Sequence, residues 1–200
     1  MRTPIAILAL LVASPWVAAE DKKDDAKLDL FPLAKGTKWE YSATADGVVK
    51  DLVQDVTEIA PGKKGERDLV TVESIIDGAK FAEEFSADDK AVYRHAMQGL
   101  KLETPMPMVQ YPHKVGAKWK AAIKIGTDEA EASFEAMKAE EIAVAAGKYT
   151  AHPIVMVVDI KGKKIISKNW YADGVGMVKQ EVDFGEKKVV LELKKFAKGK

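Results

Sequence analysis

The chain says one phrase twice. "FPLAKGTKWE", from Phe31 to Glu40, returns as "YPHKVGAKWK", from Tyr111 to Lys120. Phe31 falls over Tyr111, Pro32 over Pro112, Gly36 over Gly116, Lys38 over Lys118 and Trp39 over Trp119, each pair 80 residues apart. Further echoes come with a slowly growing offset: Glu58-Ile59 over Glu141-Ile142, and "FSAD" from Phe85 over "WYAD" from Trp170. An offset that only grows is what small loop insertions between two diverged copies produce. The chain has four tryptophans, so two of them in register weigh more than the other identities. The sequence therefore reads as an internal duplication, with halves at about 31–97 and 111–197 and a connection at 98–110.

The repeated phrase has a physical sense. Proline fixes its own φ and drives the preceding aromatic into an extended conformation. Glycine takes the positive φ that a tight turn requires. Tryptophan then opens a strand with a large apolar anchor.

Downstream of each phrase the chain consists mainly of short apolar runs between turns. Trp39 to Ala45 precedes Asp46-Gly47, a strong hairpin signal. From Arg67 to Ile76, Val70, Val72, Ser74 and Ile76 share the face expected to point inward. Lys80–Ser86, Ala91–Met97, Ala117–Ile125, Tyr149–Ile160, Lys164–Tyr171, Met177–Phe184 and Lys188–Phe196 read as strands too. "VMVV", Val155 to Val158, is apolar on both faces and belongs in a central strand.

Two segments read both ways. "VVKDLVQDVTEI" has apolar residues at helical spacing, and "EAEASFEAMKAEEIAV" is rich in helix-forming Ala and Glu. They occupy equivalent places in the two copies. The Val and Thr content of the first and the alternation of the second favour two long strands, Val48–Ile59 and Ala130–Val144. The expectation is thus an all-β fold of about eleven antiparallel strands in a strongly curved, incomplete barrel. Residues 98–112, with "TPMPM", are expected to be an extended loop and to serve as a flap.

Ahead of the duplication, Met1-Arg2, the apolar run Ile5–Val12 and the small residues Val17-Ala18-Ala19 read as a signal peptide cleaved after Ala19. The apolar run is far below the ~20 residues of a spanning helix. Residues 20–30 read as a charged flexible linker, leaving 31–200 as one β domain. With no cysteine, the chain has no disulfide and no cysteine-linked lipid. A formal net charge of zero gives no pull towards nucleic acid. An exported protein, periplasmic or extracellular, is expected.

"NWYADGVGMVKQE", Asn169 to Glu181, is the most specific phrase. Trp170 and Tyr171 fall on opposite strand faces, so one is expected buried and the other half-exposed. Gly174 suits a tight turn and Gly176 a bulge or close backbone approach. With "FPLAKGTKWEY", "KVGAKW" and "VAAGKYTAHPI", this phrase resembles the TapB-like and related exported bacterial proteins, grouped with the lipoprotein-carrier (LolA/LolB-like) fold. The resemblance implies a curved sheet around an apolar cavity. It carries over no catalytic residue, and Trp39, Trp119, Trp170, Tyr171, Gly174 and Gly176 stand as structural positions.

No hydrolase, P-loop, dinucleotide or calcium-loop signature occurs, and no cofactor is expected. Residues 95–113 hold His95, Met97, Met106, Met108 and His113, donor types suited to Cu(I), against the simpler reading of core methionines and ordinary histidines. The function expected is a non-enzymatic binding domain holding a lipid or acyl chain on the concave face. The alternatives are an envelope scaffold pairing through a sheet edge and, further off, a hydrolase.

Overall fold

The computed structural model describes residues 28–125 and 128–200; the signal-peptide expectation, with Ala19, lies outside them. There are thirteen strands among these residues and no helix. The first half supplies β1 (Lys38–Ala45), β2 (Val48–Ala60), β3 (Leu69–Ile76), β4 (Ala79–Ala87), β5 (Ala91–Met97) and β6 (Leu100–Gln110). The second supplies β7 (Lys118–Ile125), β8 (Asp128–Ala136), β9 (Glu140–Val144), β10 (Gly147–Ile160), β11 (Lys163–Ala172), β12 (Gly176–Asp183) and β13 (Lys188–Ala197).

All pairings are antiparallel, in the order β6-β5-β4-β3-β2-β1-β13-β12-β11-β10-β8-β7, with β9 beside the first part of β10. The two ends of this path, β6 and β7, come back together without ladder hydrogen bonds. The sheet is a nearly closed barrel with one unsealed seam. Each half is a meander, and the halves join where the first strand, β1, pairs with the last, β13.

The two halves share one backbone clasp. Thr37 N–H donates to Ala34 O, Gly36 N–H to Val56 O, and Val56 N–H to Thr37 O, at 2.9–3.0 Å. Eighty residues on, Ala117 donates to Lys114, Gly116 to Ala136, and Ala136 to Ala117, at 2.7–3.0 Å. Beyond this shared clasp the copies part. β2 absorbs an irregularity as a bulge between Val56 and Glu58, whereas β8 stops at Ala136 and the chain restarts as β9. The expected single strand Ala130–Val144 is therefore two, and this break accounts for one of the two strands beyond eleven.

The other is β6. The loop and flap expected at 98–112 are instead a strand, pairing with β5 from Ala91↔Gln110 to Met97↔Leu100. Proline at 105 and 107 fits it because this is an edge strand, where a missing N–H costs little. Leu102, Met106 and Met108 are buried in it.

The remaining strand readings hold. Val48–Ile59 is extended throughout. Val70, Val72 and Ser74 are buried as expected. β10, which carries "VMVV", has partners on both sides. Asp46-Gly47 forms its hairpin turn with both residues at positive φ, 49° and 77°, the requirement of a type I′ turn.

Candidate functional site

The alternation of the strands sends one set of side chains into the barrel, where they leave a cavity of about 310 Å³. Phe31, Trp39, Leu52, Phe81, Met156 and Leu191 give it an apolar wall. It lies near the lower bound of ordinary small-molecule pockets, ~300–1,000 Å³. It is also about twice a ~150 Å³ engineered apolar cavity that accepts benzene. Methionines 97, 108, 156 and 177 contribute flexible, polarisable surface that adapts to a guest's shape.

One end of the cavity is stoppered. Residues 28–37 cross under the barrel before β1 begins. Asp29 N–H donates to Asp173 Oδ1 at 2.7 Å, Gly174 N–H donates to Asp29 O at 2.8 Å, and Leu30 N–H donates to the Tyr111 hydroxyl at 3.3 Å. Leu30 is fully buried, and Phe31 reaches the cavity, its ring 5.0 Å from that of Phe85.

The other end carries the tight hairpins, and there the cavity reaches Met97 and Gln98, at the turn from β5 to β6. The inward rows continue past it into exposed apolar side chains. Val48 is opposite Ala45, which is opposite Val189, which is opposite Val182 of the cavity wall. Leu100 is opposite Met97, and Phe184 comes two residues after Val182. Val48, Leu100 and Phe184 are each more than half exposed, at 57%, 55% and 51%. All three lie at the hairpin end of the barrel, where exposed apolar side chains on the ends of several strands make an apolar collar.

Polar groups also face inward. Gln180 Nε2 donates to Asn169 Oδ1 at 2.6 Å, Ser167 Oγ donates to the same oxygen at 3.2 Å, and Gln54 Nε2 donates to Ser74 Oγ at 3.1 Å. Arg94 and Glu83 lie against each other at 3.5 Å, both largely buried. Burial pushes the Tyr171 hydroxyl up to about 12, with Arg94 pulling the other way, so the phenol is neutral at physiological pH.

The six structural positions fall at two ends of the molecule's internal bracing. Trp39 is buried and its indole N–H donates to Val175 O at 2.6 Å, tying β1 to the turn after β11. Gly176 lies under that indole: a Cβ there would stand 3.2 Å from Trp39 Nε1 and 3.3 Å from Pro32 Cδ. Gly174 holds φ at +66° in the same turn. Trp119 stacks on Phe134 at 5.2 Å and donates to Pro107 O at 2.8 Å across the seam. Trp170 and Tyr171 do take opposite faces, but both are buried, against the expectation that one would be half-exposed. Tyr171 lines the cavity. Trp170 is covered from outside, by Glu140 of β9, which accepts its indole N–H at 2.5 Å, and by the Lys168 ammonium 4.4 Å over its ring. Sequence alternation alone could not show that β9 would cover the outer face.

The copper candidates are dispersed. Met97 and Met108 line the cavity, and Met106 is buried in the core. His95 faces an outer cleft with Ser86, and His113 lies edge-on to His152 at 5.0 Å. Ser86 Oγ and His95 Nε2 are 2.8 Å apart, the spacing of a nucleophile and its base. Ser86 is only 1% exposed, and no carboxylate bonds the other His95 nitrogen among the described residues. Desolvation lowers the His95 pKa further, the neighbouring Glu84 charge working against it. The pair reads as a cross-strand structural bond.

No protein-family model matches the chain, and no curated protein matches it in sequence. Solved structures do. A candidate lipoprotein from Parabacteroides distasonis superposes with a TM-score of 0.59 at 14% identity, covering 85% of this chain and 99% of that one. A candidate exported protein with a YmcC-like fold, from Bacteroides fragilis, gives 0.51 at 15% identity, covering 86% and 100%. The chain shares their fold. Among the described residues no helix is long and apolar enough to cross a membrane.

Proposed function

We propose that this is an exported, non-enzymatic binding protein whose barrel interior holds one hydrophobic ligand, a lipid fragment or acyl chain. The observation that carries this reading is the 310 Å³ cavity, stoppered below by residues 28–37 and continued above by the apolar collar. A folded core is normally packed to crystal-like density, so an interior space of this size is costly unless a guest fills it. The volume suits a single chain and excludes a whole two-chain phospholipid. Export rests on the signal-peptide pattern ending at Ala19. The resemblance to TapB-like and lipoprotein-carrier proteins points the same way, since the fold it implies encloses an apolar cavity.

The test uses N-phenyl-1-naphthylamine, a neutral apolar dye that brightens out of water. The expected result is saturable enhancement at one dye per chain, abolished by Leu191→Trp, which fills the cavity. No enhancement, or enhancement that Leu191→Trp leaves untouched, would overturn the reading.

A further inference from the structure

The Arg94 side chain stands out among the groups facing the cavity. Its guanidinium carries five N–H donors. One nitrogen is ion-paired with Glu83 Oε1 at 3.5 Å, without the alignment of a hydrogen bond. Another donates to the thioether of Met97 at 3.7 Å, a weak acceptor. The third, Nε, is buried with no acceptor at all. The carbon of the guanidinium lies 5.3 Å from the Phe85 ring centroid. Thus, among the described residues, no oxygen of the protein accepts a hydrogen bond from this cation, although its side chain is only 18% exposed. The Glu83 carboxylate balances its charge, but its N–H donors lack oxygen acceptors, and buried donors are almost always satisfied. Of the other inward polar groups, Gln180, Asn169 and Ser167 bond one another, as do Gln54 and Ser74, while the Glu83 carboxylate lines the cavity beside Arg94. The Tyr171 hydroxyl lines the same cavity and makes no hydrogen bond to protein among the described residues.

Resting on the reading of the cavity as a ligand site, we infer that the ligand is a single-chain amphiphile with an oxyanion head, a carboxylate or a phosphate monoester. The head lies against Arg94 with Tyr171 as a second donor, and the tail runs towards the hairpin mouth. Guanidinium matches such heads with two parallel hydrogen bonds, and a charge-assisted bond in a dry site is stronger than a neutral one. Above Arg94, Phe81 and Val182 stand opposite Ser74 and Ser167, whose hydroxyls are already hydrogen-bonded, and Ile165 and the exposed apolar side chains at the hairpin end follow. That order of surfaces fits a head held inside and a chain pointing out.

The probes are decanoate, monodecyl phosphate and decan-1-ol, each used to displace N-phenyl-1-naphthylamine from the wild-type protein. Decanoate or the phosphate should displace the dye at least about tenfold more tightly than the alcohol. Whichever anion binds tighter identifies the head. Arg94→Met combined with Glu83→Gln, so that no buried carboxylate is left unpaired, should erase the preference of anion over alcohol. Equal displacement by acid and alcohol would overturn the head group while the cavity reading stands. An anion preference that survives the double variant would also overturn it. Failure of the dye itself to bind would instead sink the cavity reading.

Discussion

The two halves of this barrel meet twice, and the two meetings differ. At one, β1 and β13 pair along their whole length, from Lys38↔Ala197 to Ala45↔Val189. At the other, β6 and β7 occupy the places that the duplication makes equivalent to β13 and β1, yet form no ladder. The seam is held by side chains: the Trp119 indole on Pro107 O, and Lys124 on Glu103 at 3.3 Å. Two prolines have removed two donors from β6, and a bulge sets the stretch before Met106 out of register with β5. The comparison teaches that two junctions in equivalent places of the two halves can close differently, one by a ladder and one by side chains. The tryptophans record the same split. Trp39 is locked between Pro32, Gly176 and Phe196 at the sealed junction, while Trp119 is only partly buried at the seam.

The largest expected difference is between those tryptophans. Trp39→Ala should cost about 3–5 kcal/mol, the range for removing a fully buried aromatic. Trp119→Ala should cost about half of that, because part of its surface stays in water throughout. Urea midpoints at constant slope measure both, and equal costs would erase the distinction between the junctions. Next in size is amide exchange. Mid-strand amides of β1 and β13 should exchange slower than those of β6 and β7 by on the order of a hundredfold, since unladdered edges open locally. Exchange at matched rates would mean that the seam is sealed in solution.

A smaller contrast separates two glycines at positive φ. Gly176→Ala should destabilise by about 2 kcal/mol, since the new methyl meets the Trp39 indole as well as backbone strain. Gly116→Ala, with open space around it, should cost about 1 kcal/mol of strain alone. The smallest effect is of pH. His95 of β5 and His113 beside β7 both have pKa values lowered by desolvation, the latter against the Met137 carbonyl. A histidine whose folded pKa lies below its unfolded value binds its proton more readily when unfolded. Its contribution is present above about pH 6.5 and is lost as pH falls through the folded pKa. Mild acid should therefore lower the urea midpoint, and His95→Gln with His113→Gln should flatten that slope. A midpoint that rises on acidification would contradict the assignment.

Much of this architecture was legible because it rests on local signals. The repeated phrase marked the two halves, paired turn residues such as Asp46-Gly47 marked the hairpins, and alternation at Val70, Val72 and Ser74 marked the inward face. What was not legible depended on neighbours. Prolines 105 and 107 read as a loop, because a sequence does not say that a strand will lie at an edge. One of Trp170 and Tyr171 read as half-exposed, yet the outward Trp170 is buried because β9, which covers it, arises from a break after Ala136 that its counterpart in β2 bridges with a bulge. The cavity follows from the fold class, but Arg94 was invisible within it. An arginine between Tyr93 and His95 looks like any surface cation until cross-strand pairing with Phe85 turns it inward.

The central claim is that the barrel interior is the binding site, and methionine methyl groups report on it directly. Met97, Met108, Met156 and Met177 line the cavity; Met106 packs elsewhere in the core and Met137 is exposed outside. With methionine methyls labelled by carbon-13 and decanoate added, nuclear Overhauser contacts from the chain should reach the four cavity methyls and leave Met137 silent. Contacts to Met137 alone, or to none of the cavity methyls when the ligand is bound, would place the ligand outside the barrel and contradict the account.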